Sequence, residues 1–223
     1  MLSKLSVFVS YSVKDKELAG HIKKCLEEYF GLQIFLAHND ISPATEWEPE
    51  IVEKLRTTDL FVILLSKNSL NSVFVNQEIG MALAWKKKII PVSLDNTTNP
   101  FGFINKIQAC KTELNSSGEI DITETCLTIF FIFATHKNFS YARFQKRSVD
   151  CVVSALSTSA SYPTSIAIAK ILEKLSLQRV FTKKQISEIK KISKTNDQVY
   201  GSFIAAPLVE GTIKKQENSI DIR

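Results

Sequence analysis

The residue in this 223-residue chain that most needs a chemical reason is Glu78, the single acidic side chain between Leu60 and Leu83. Its neighbours Val75, Asn76, Gln77, Ile79 and Gly80 carry no charge. Phe74 stands four residues earlier, so on a helix the ring and the carboxylate share one face. Upstream lie six apolar residues, Leu60 to Leu65, the pattern of a strand buried on both faces of a parallel sheet. The Phe74–Glu78 face therefore falls just past the carboxyl end of a strand, where open α/β sheets place ligands. One carboxylate without an acidic partner suffices to stabilise a developing positive charge. The ordinary alternative is a glutamate on a solvated helix face.

Other chemistries lack their residues. Neither G-x-G-x-x-G nor G-x-x-x-x-G-K occurs, which argues against a dehydrogenase or a P-loop NTPase. His21, His38 and His136 are not clustered, so no metal is expected. Ser66, Ser69 and Ser72 suit turns and helix caps better than a nucleophile's role. Cys25, Cys110, Cys126 and Cys151 show no metal spacing and read as reduced thiols.

The elements that must position Glu78 follow from periodicity. Strands are expected over 5–9, 32–36, 60–65 and 89–94. Helices are expected after Ser12, over a Trp47–Ile51–Leu55 stripe, over 73–85, and through Ile122, Cys126, Ile129, Phe130 and Phe133. Thr45 with Glu48 reads as a capping box, and the stretch 96–118 as loop. Strands alternating with helices imply βαβ units and a parallel sheet. After about His136 the alternation ends. Helices are expected over 149–157, 164–175, 183–193 and 198–213, with Thr182 and Gln185 as a second capping box. Ile166, Ile168, Ile171 and Leu172 nearly encircle one of these helices, more than a single buried face requires.

Charge divides the same way. Residues 1–137 carry 14 basic and 16 acidic side chains, and residues 138–223 carry 14 and 7. With 44% apolar and 23% charged residues the composition is that of a soluble globular protein. No apolar run reaches the ~20 residues of a spanning helix, and charged residues arrive too early for a secretory leader. The expectation is a cytoplasmic protein with no membrane segment, no nucleic-acid partner and two domains, 1–137 and 145–217.

Three blocks in order carry a family resemblance: Val7-Phe8-Val9-Ser10-Tyr11-Ser12; the loop from Asp40 to Trp47; and Ser66, Ser72, Phe74 and Glu78. Residues 1 to about 137 resemble the Toll/interleukin-1 receptor (TIR) domain family, in particular the NAD-cleaving bacterial members of antiphage (Thoeris-like) systems. The resemblance implies an α/β fold, a flavodoxin-like parallel sheet flanked by helices, with the C-terminal all-helical appendage lying outside it. It implies an NAD+ glycohydrolase or ADP-ribosyl cyclase that breaks the nicotinamide–ribose bond and releases ADP-ribose or a cyclic signal. Glu78 takes the place of the catalytic glutamate, and Ser10, Tyr11, Phe35, Asp40, Ser42 and Phe74 the places of NAD contacts. NAD+ is then the substrate, and no cofactor is expected. The family's usual tryptophan is Phe74 here, which keeps a stacking face and loses an indole N–H. Ala44 stands where the family usually has glycine. The expected partners are further copies of the chain, through the TIR domain and the helical tail, and a separate effector that senses the product. The alternatives are a non-enzymatic TIR interaction module and an enzyme of the nucleoside deoxyribosyltransferase kind.

Overall fold

A computed structural model of the chain describes residues 5–37, 47–112, 114, 117–135, 142–177 and 181–220. Two compact units divide it: one comprises Leu5–Leu26 and Leu32–Ile129, the other Glu27–Gly31 and Phe130–Arg223. The division falls after Ile129, earlier than the expected 137, and assigns five residues from the first third of the chain to the helical unit.

In the α/β unit, β1 (Ser6–Ser10), β2 (Gln33–Leu36), β3 (Leu60–Leu65), β4 (Lys88–Ser93) and β5 (Cys110–Lys111) form one sheet in the order β2-β1-β3-β4-β5. Every pairing is parallel. This is the flavodoxin-like doubly wound order, whose direction of winding reverses between β1 and β3. β3 is buried along its whole length, as six consecutive apolar residues demand. β5 was not anticipated, because two residues give no period to read.

The helices of this unit are α1 (Lys16–Glu28), α2 (Trp47–Thr57), the one-turn α3 (Lys67–Leu70), α4 (Val73–Ala84) and α5 (Ile122–Thr135), whose last turns belong to the helical unit. Phe8, Phe35, Ile51, Leu55, Phe61, Ile63, Val75 and Ile79 share one buried core. Ser12 caps no helix with its side chain, and Asp15 ends a 3-10 turn. The Asp15 carboxylate instead accepts from Ser66 Oγ at 2.6 Å and Asn68 Nδ2 at 2.9 Å. The Thr45 half of the expected capping box lies outside the described residues. The four cysteines are buried and free.

The helical unit contains α6 (Ala142–Thr158), α7 (Tyr162–Ser176), α8 (Lys183–Thr195), α9 (Asp197–Tyr200) and α10 (Ala205–Ile220). The capping box at the start of α8 is present, with Thr182 and Gln185 reciprocally bonded. The single helix expected over 198–213 is instead broken after Tyr200. Ser202 Oγ accepts from the Ala205 amide at 3.0 Å and so starts α10 afresh. The encircling stripe of α7 is also explained inside the unit. That helix is packed by α6, α9 and α10, and Ile168, Ile171 and Leu172 are buried there, while Ile166 is half-buried. Gly31 sits at φ +64°, and a Cβ there would lie 2.4 Å from the carbonyl oxygen of Cys151. Only glycine fits. Among the described residues no helix is long and apolar enough to cross a membrane.

Candidate functional site

Ser72 begins the site. Its side chain accepts from the Val75 amide and starts α4, while Ser66 and Ser69 reciprocally cap α3 just before it. These caps set the phase of α4, whose Phe74, Gln77, Glu78, Met81 and Ala84 then follow a three-and-four spacing along one face. That face lines a cleft of about 560 Å³ whose opposite wall is Ile51 and Val52 of α2, a volume within the range of small-molecule sites. Phe74 is 41% exposed there, far more than a core ring needs to be.

Glu78 is 2% exposed. Ser10, the last residue of β1 and fully buried, donates its hydroxyl to Glu78 Oε2. The other carboxylate oxygen, Oε1, is buried with no hydrogen-bond partner among the described residues. Burial pushes the Glu78 carboxyl up from 4.5 to about 7, and the hydrogen bond from Ser10 pulls against that rise. Desolvation wins because the cleft wall is mostly apolar and gives the anion no second hydrogen bond among the described residues. A buried acid with one oxygen unbonded among the described residues, beside an exposed ring, marks a candidate functional site.

The structure joins Glu78, Ser10 and Phe74, of which the last lies on the same cleft as the carboxylate. Tyr11 is fully buried, and Phe35 is 8% exposed with its ring 5.3 Å from that of Phe8. In this conformation Ser10 and Tyr11 present no surface that a nucleotide could touch. Asp40 and Ser42 lie outside the described residues, as does Ala44. Sequence reasoning passed over Gln77, Met81, Ile51 and Val52 as site residues, although the spacing from Phe74 already placed the first two on its face.

The sequence profile of the TIR domain matches residues 7–121. The chain belongs to the TIR domain family. The match ends before Phe130, where the C-terminal stretch of the helical unit begins, and Ser10, the residues lining the cleft, Phe74 and Glu78 all lie within it. Among solved structures, the TIR domain of the Toll-related receptor TRR-2 from Hydra magnipapillata is 17% identical, with a TM-score of 0.42 over 47% of this chain and 82% of that one. The TIR domains of the activated Roq1 resistosome are 16% identical, with a TM-score of 0.38 over 77% and 99%. A 2-desoxiribosyltransferase from Leishmania mexicana is 13% identical, with a TM-score of 0.35 over 52% and 78%. No curated protein sequence matches the chain.

Proposed function

We propose that the TIR domain of this chain cleaves NAD+ at the bond between nicotinamide and ribose, with Glu78 as the catalytic carboxylate. The observation that carries the reading is the buried Glu78 carboxylate, one oxygen held by Ser10 and the other without a hydrogen-bond partner among the described residues, in an apolar cleft that it shares with exposed Phe74.

Nicotinamide in NAD+ is a pyridinium. When the bond from the ribose anomeric carbon to the ring nitrogen breaks, the electron pair neutralises that nitrogen, so departure needs no general acid. The ribose is left with oxocarbenium character, as in glycoside hydrolysis. Glu78 stabilises this charge, and the aliphatic wall strengthens the interaction by keeping the dielectric low. Phe74 offers a face for the nicotinamide ring. A cation in the cleft also favours the ionised acid, so the ligand itself draws Glu78 toward its charged state. Water attack yields ADP-ribose and one proton, and attack by a nucleophile within the same molecule yields a cyclic product. NAD+ is substrate throughout. A product of either kind serves as a signal to a separate effector, the role that the resemblance to antiphage members suggests. Homo-oligomerisation belongs to the same proposal.

The test is incubation of the purified full chain with NAD+ and measurement of free nicotinamide. Release that disappears in Glu78→Gln supports the reading. Absence of release from the wild-type chain across assembly states overturns it and favours a non-enzymatic TIR interaction module.

A further inference from the structure

Ser10 and Glu78 are 68 positions apart in sequence, yet the Ser10 hydroxyl meets the carboxylate at the carboxyl end of β1. Both side chains are almost wholly withdrawn from solvent, at 0% and 2% exposure. The strand that carries Ser10 lies at the point where the sheet's winding reverses, hydrogen-bonded to β2 on one side and β3 on the other. The hydroxyl has one donor proton, and that proton is committed to Oε2. Ser10 therefore cannot donate to a nucleotide without releasing Glu78.

We infer that Ser10 is a positioning residue, which anchors one oxygen of the Glu78 carboxylate to the sheet and reserves the other for the ligand. The kinetic consequence rests on the NAD-cleavage reading, whereas the geometric claim does not. Anchoring acts in two ways. It limits rotation of a carboxylate on a flexible three-carbon stem, so that the open oxygen stays in one place. It also favours the charged form, because a donor to a carboxylate stabilises the anion. Burial alone would leave a larger share of Glu78 protonated at neutral pH, and a neutral acid does little for an oxocarbenium ion.

Among the described residues no charged neighbour takes over this task. The elements around the cleft carry Glu50, Glu53, Lys54 and Arg56 on α2, Asp59 before β3 and Lys87 after α4, with Tyr11 next to Ser10. Glu53 pairs with Arg56, Lys54 lies 5.9 Å from the centre of the Phe35 ring, and Asp59 accepts from Ser6. Lys87 bonds the carbonyls of Arg56 and Thr58 at 2.6 Å. The causes that move Glu78 are burial and Ser10.

The experiment titrates Glu78 directly in the full chain, by carbon NMR of protein labelled at the glutamate side-chain carboxyl. Comparison with Glu78→Gln assigns the resonance. Ser10→Ala is expected to raise the midpoint by about 1–2 pH units, the equivalent of one hydrogen bond to a charged group. Ser10→Thr, which keeps the hydroxyl, is expected to hold the wild-type midpoint. With NAD+, Ser10→Ala is expected to lose roughly 5- to 50-fold in kcat/KM at pH 7 and to recover to within about twofold of wild type by pH 9. A purely structural serine would lower the melting temperature and leave the midpoint in place, and that result overturns the inference. Should Ser10→Ala not fold, Ser10→Cys, with its weaker donor, is titrated against the same criterion. A shifted midpoint in a protein that releases no nicotinamide upholds Ser10 and removes the NAD reading. Cleavage with an unmoved midpoint does the reverse.

Discussion

Among the described residues of the helical unit, no buried side-chain nitrogen or oxygen lacks a hydrogen-bond partner. Gln185, 3% exposed, donates Nε2 to the Lys146 carbonyl at 3.1 Å and to Asp150 Oδ1 at 2.7 Å, while its Oε1 accepts from the Thr182 amide at 2.8 Å. Asn196 donates to the carbonyls of Leu156 and Ser159 and accepts from the Gln198 amide. Gln216 donates to the Ser176 carbonyl at 2.7 Å. In the α/β unit, Glu78 is buried to the same degree and has one oxygen bonded and one open. The first arrangement fixes helices against each other, because a satisfied buried amide has one good geometry. The second gives up stability at one point, as sites that await a ligand do. The contrast separates side chains that serve packing from Glu78, the carboxylate proposed for the chemistry.

The strongest test of that contrast is Glu78→Gln. Gln keeps the size and an oxygen for Ser10, and loses the charge. NAD cleavage is expected to fall at least 10²–10³-fold, the usual effect of removing one electrostatic stabiliser, without loss of melting temperature. Near-wild-type turnover with a normal melting curve would remove Glu78 from the chemistry.

The second test uses pH. The folded Glu78 titrates at about 7 against 4.5 ordinarily, so the folded state binds the extra proton between those values. Below about 4.5 Glu78 is neutral in both states and has no effect on stability. As pH rises from 4.5 through 7, wild type loses about 3 kcal/mol relative to Glu78→Gln, and above 7 the gap is constant. Melting curves of both proteins from pH 4 to 9 check this. Parallel curves would show that the acid is not desolvated.

Gln185→Ala breaks the other side of the comparison. It removes one donor from Asp150, which keeps its ion pair with Lys146, and strands the Thr182 amide, and is expected to lose about 1–3 kcal/mol of stability, with nicotinamide release per folded molecule unchanged. Denaturant melts beside the assay measure both. Phe74 gives the smallest effect. Because the ring is 41% exposed, Phe74→Ala should cost less than the ~3–5 kcal/mol of a core truncation, while activity falls roughly tenfold through lost stacking. Phe74→Trp should keep or raise activity. A melting temperature that collapses in step with activity would make Phe74 an ordinary core ring.

Much of the α/β unit was legible because its strands are continuous apolar runs and its helices amphipathic. Phe74 and Glu78 were legible as one face for the same reason. What stayed hidden was longer in range or shorter in length. The Ser10–Glu78 contact joins a strand end to a helix across most of the domain, and no local period encodes it. The two residues of β5 are too few to read. The break between α9 and α10 had a signal in Gly201-Ser202, since Ser202 is a good cap, but the apolar spacing from Val199 to Val209 runs through it. Gly201 belongs there for a tertiary reason: a Cβ would lie 2.8 Å from the Asp197 carbonyl and 3.0 Å from the Tyr162 hydroxyl.

The five residues Glu27–Gly31 belong to the helical unit but are made long before it. Phe30 packs its ring 4.9 Å from that of Phe130, and the Gly31 backbone closes on Cys151. At about 5–20 residues per second, a ribosome delivers Phe130 roughly 5–20 s after Phe30, and Cys151 a few seconds later still. Throughout that interval the strands on either side of the segment can already pair, since β1 and β2 are neighbours in the sheet. The order of synthesis therefore differs from the order in which the parts can settle. The α/β unit can be covalently complete while five residues embedded in its sequence still wait for helices not yet made.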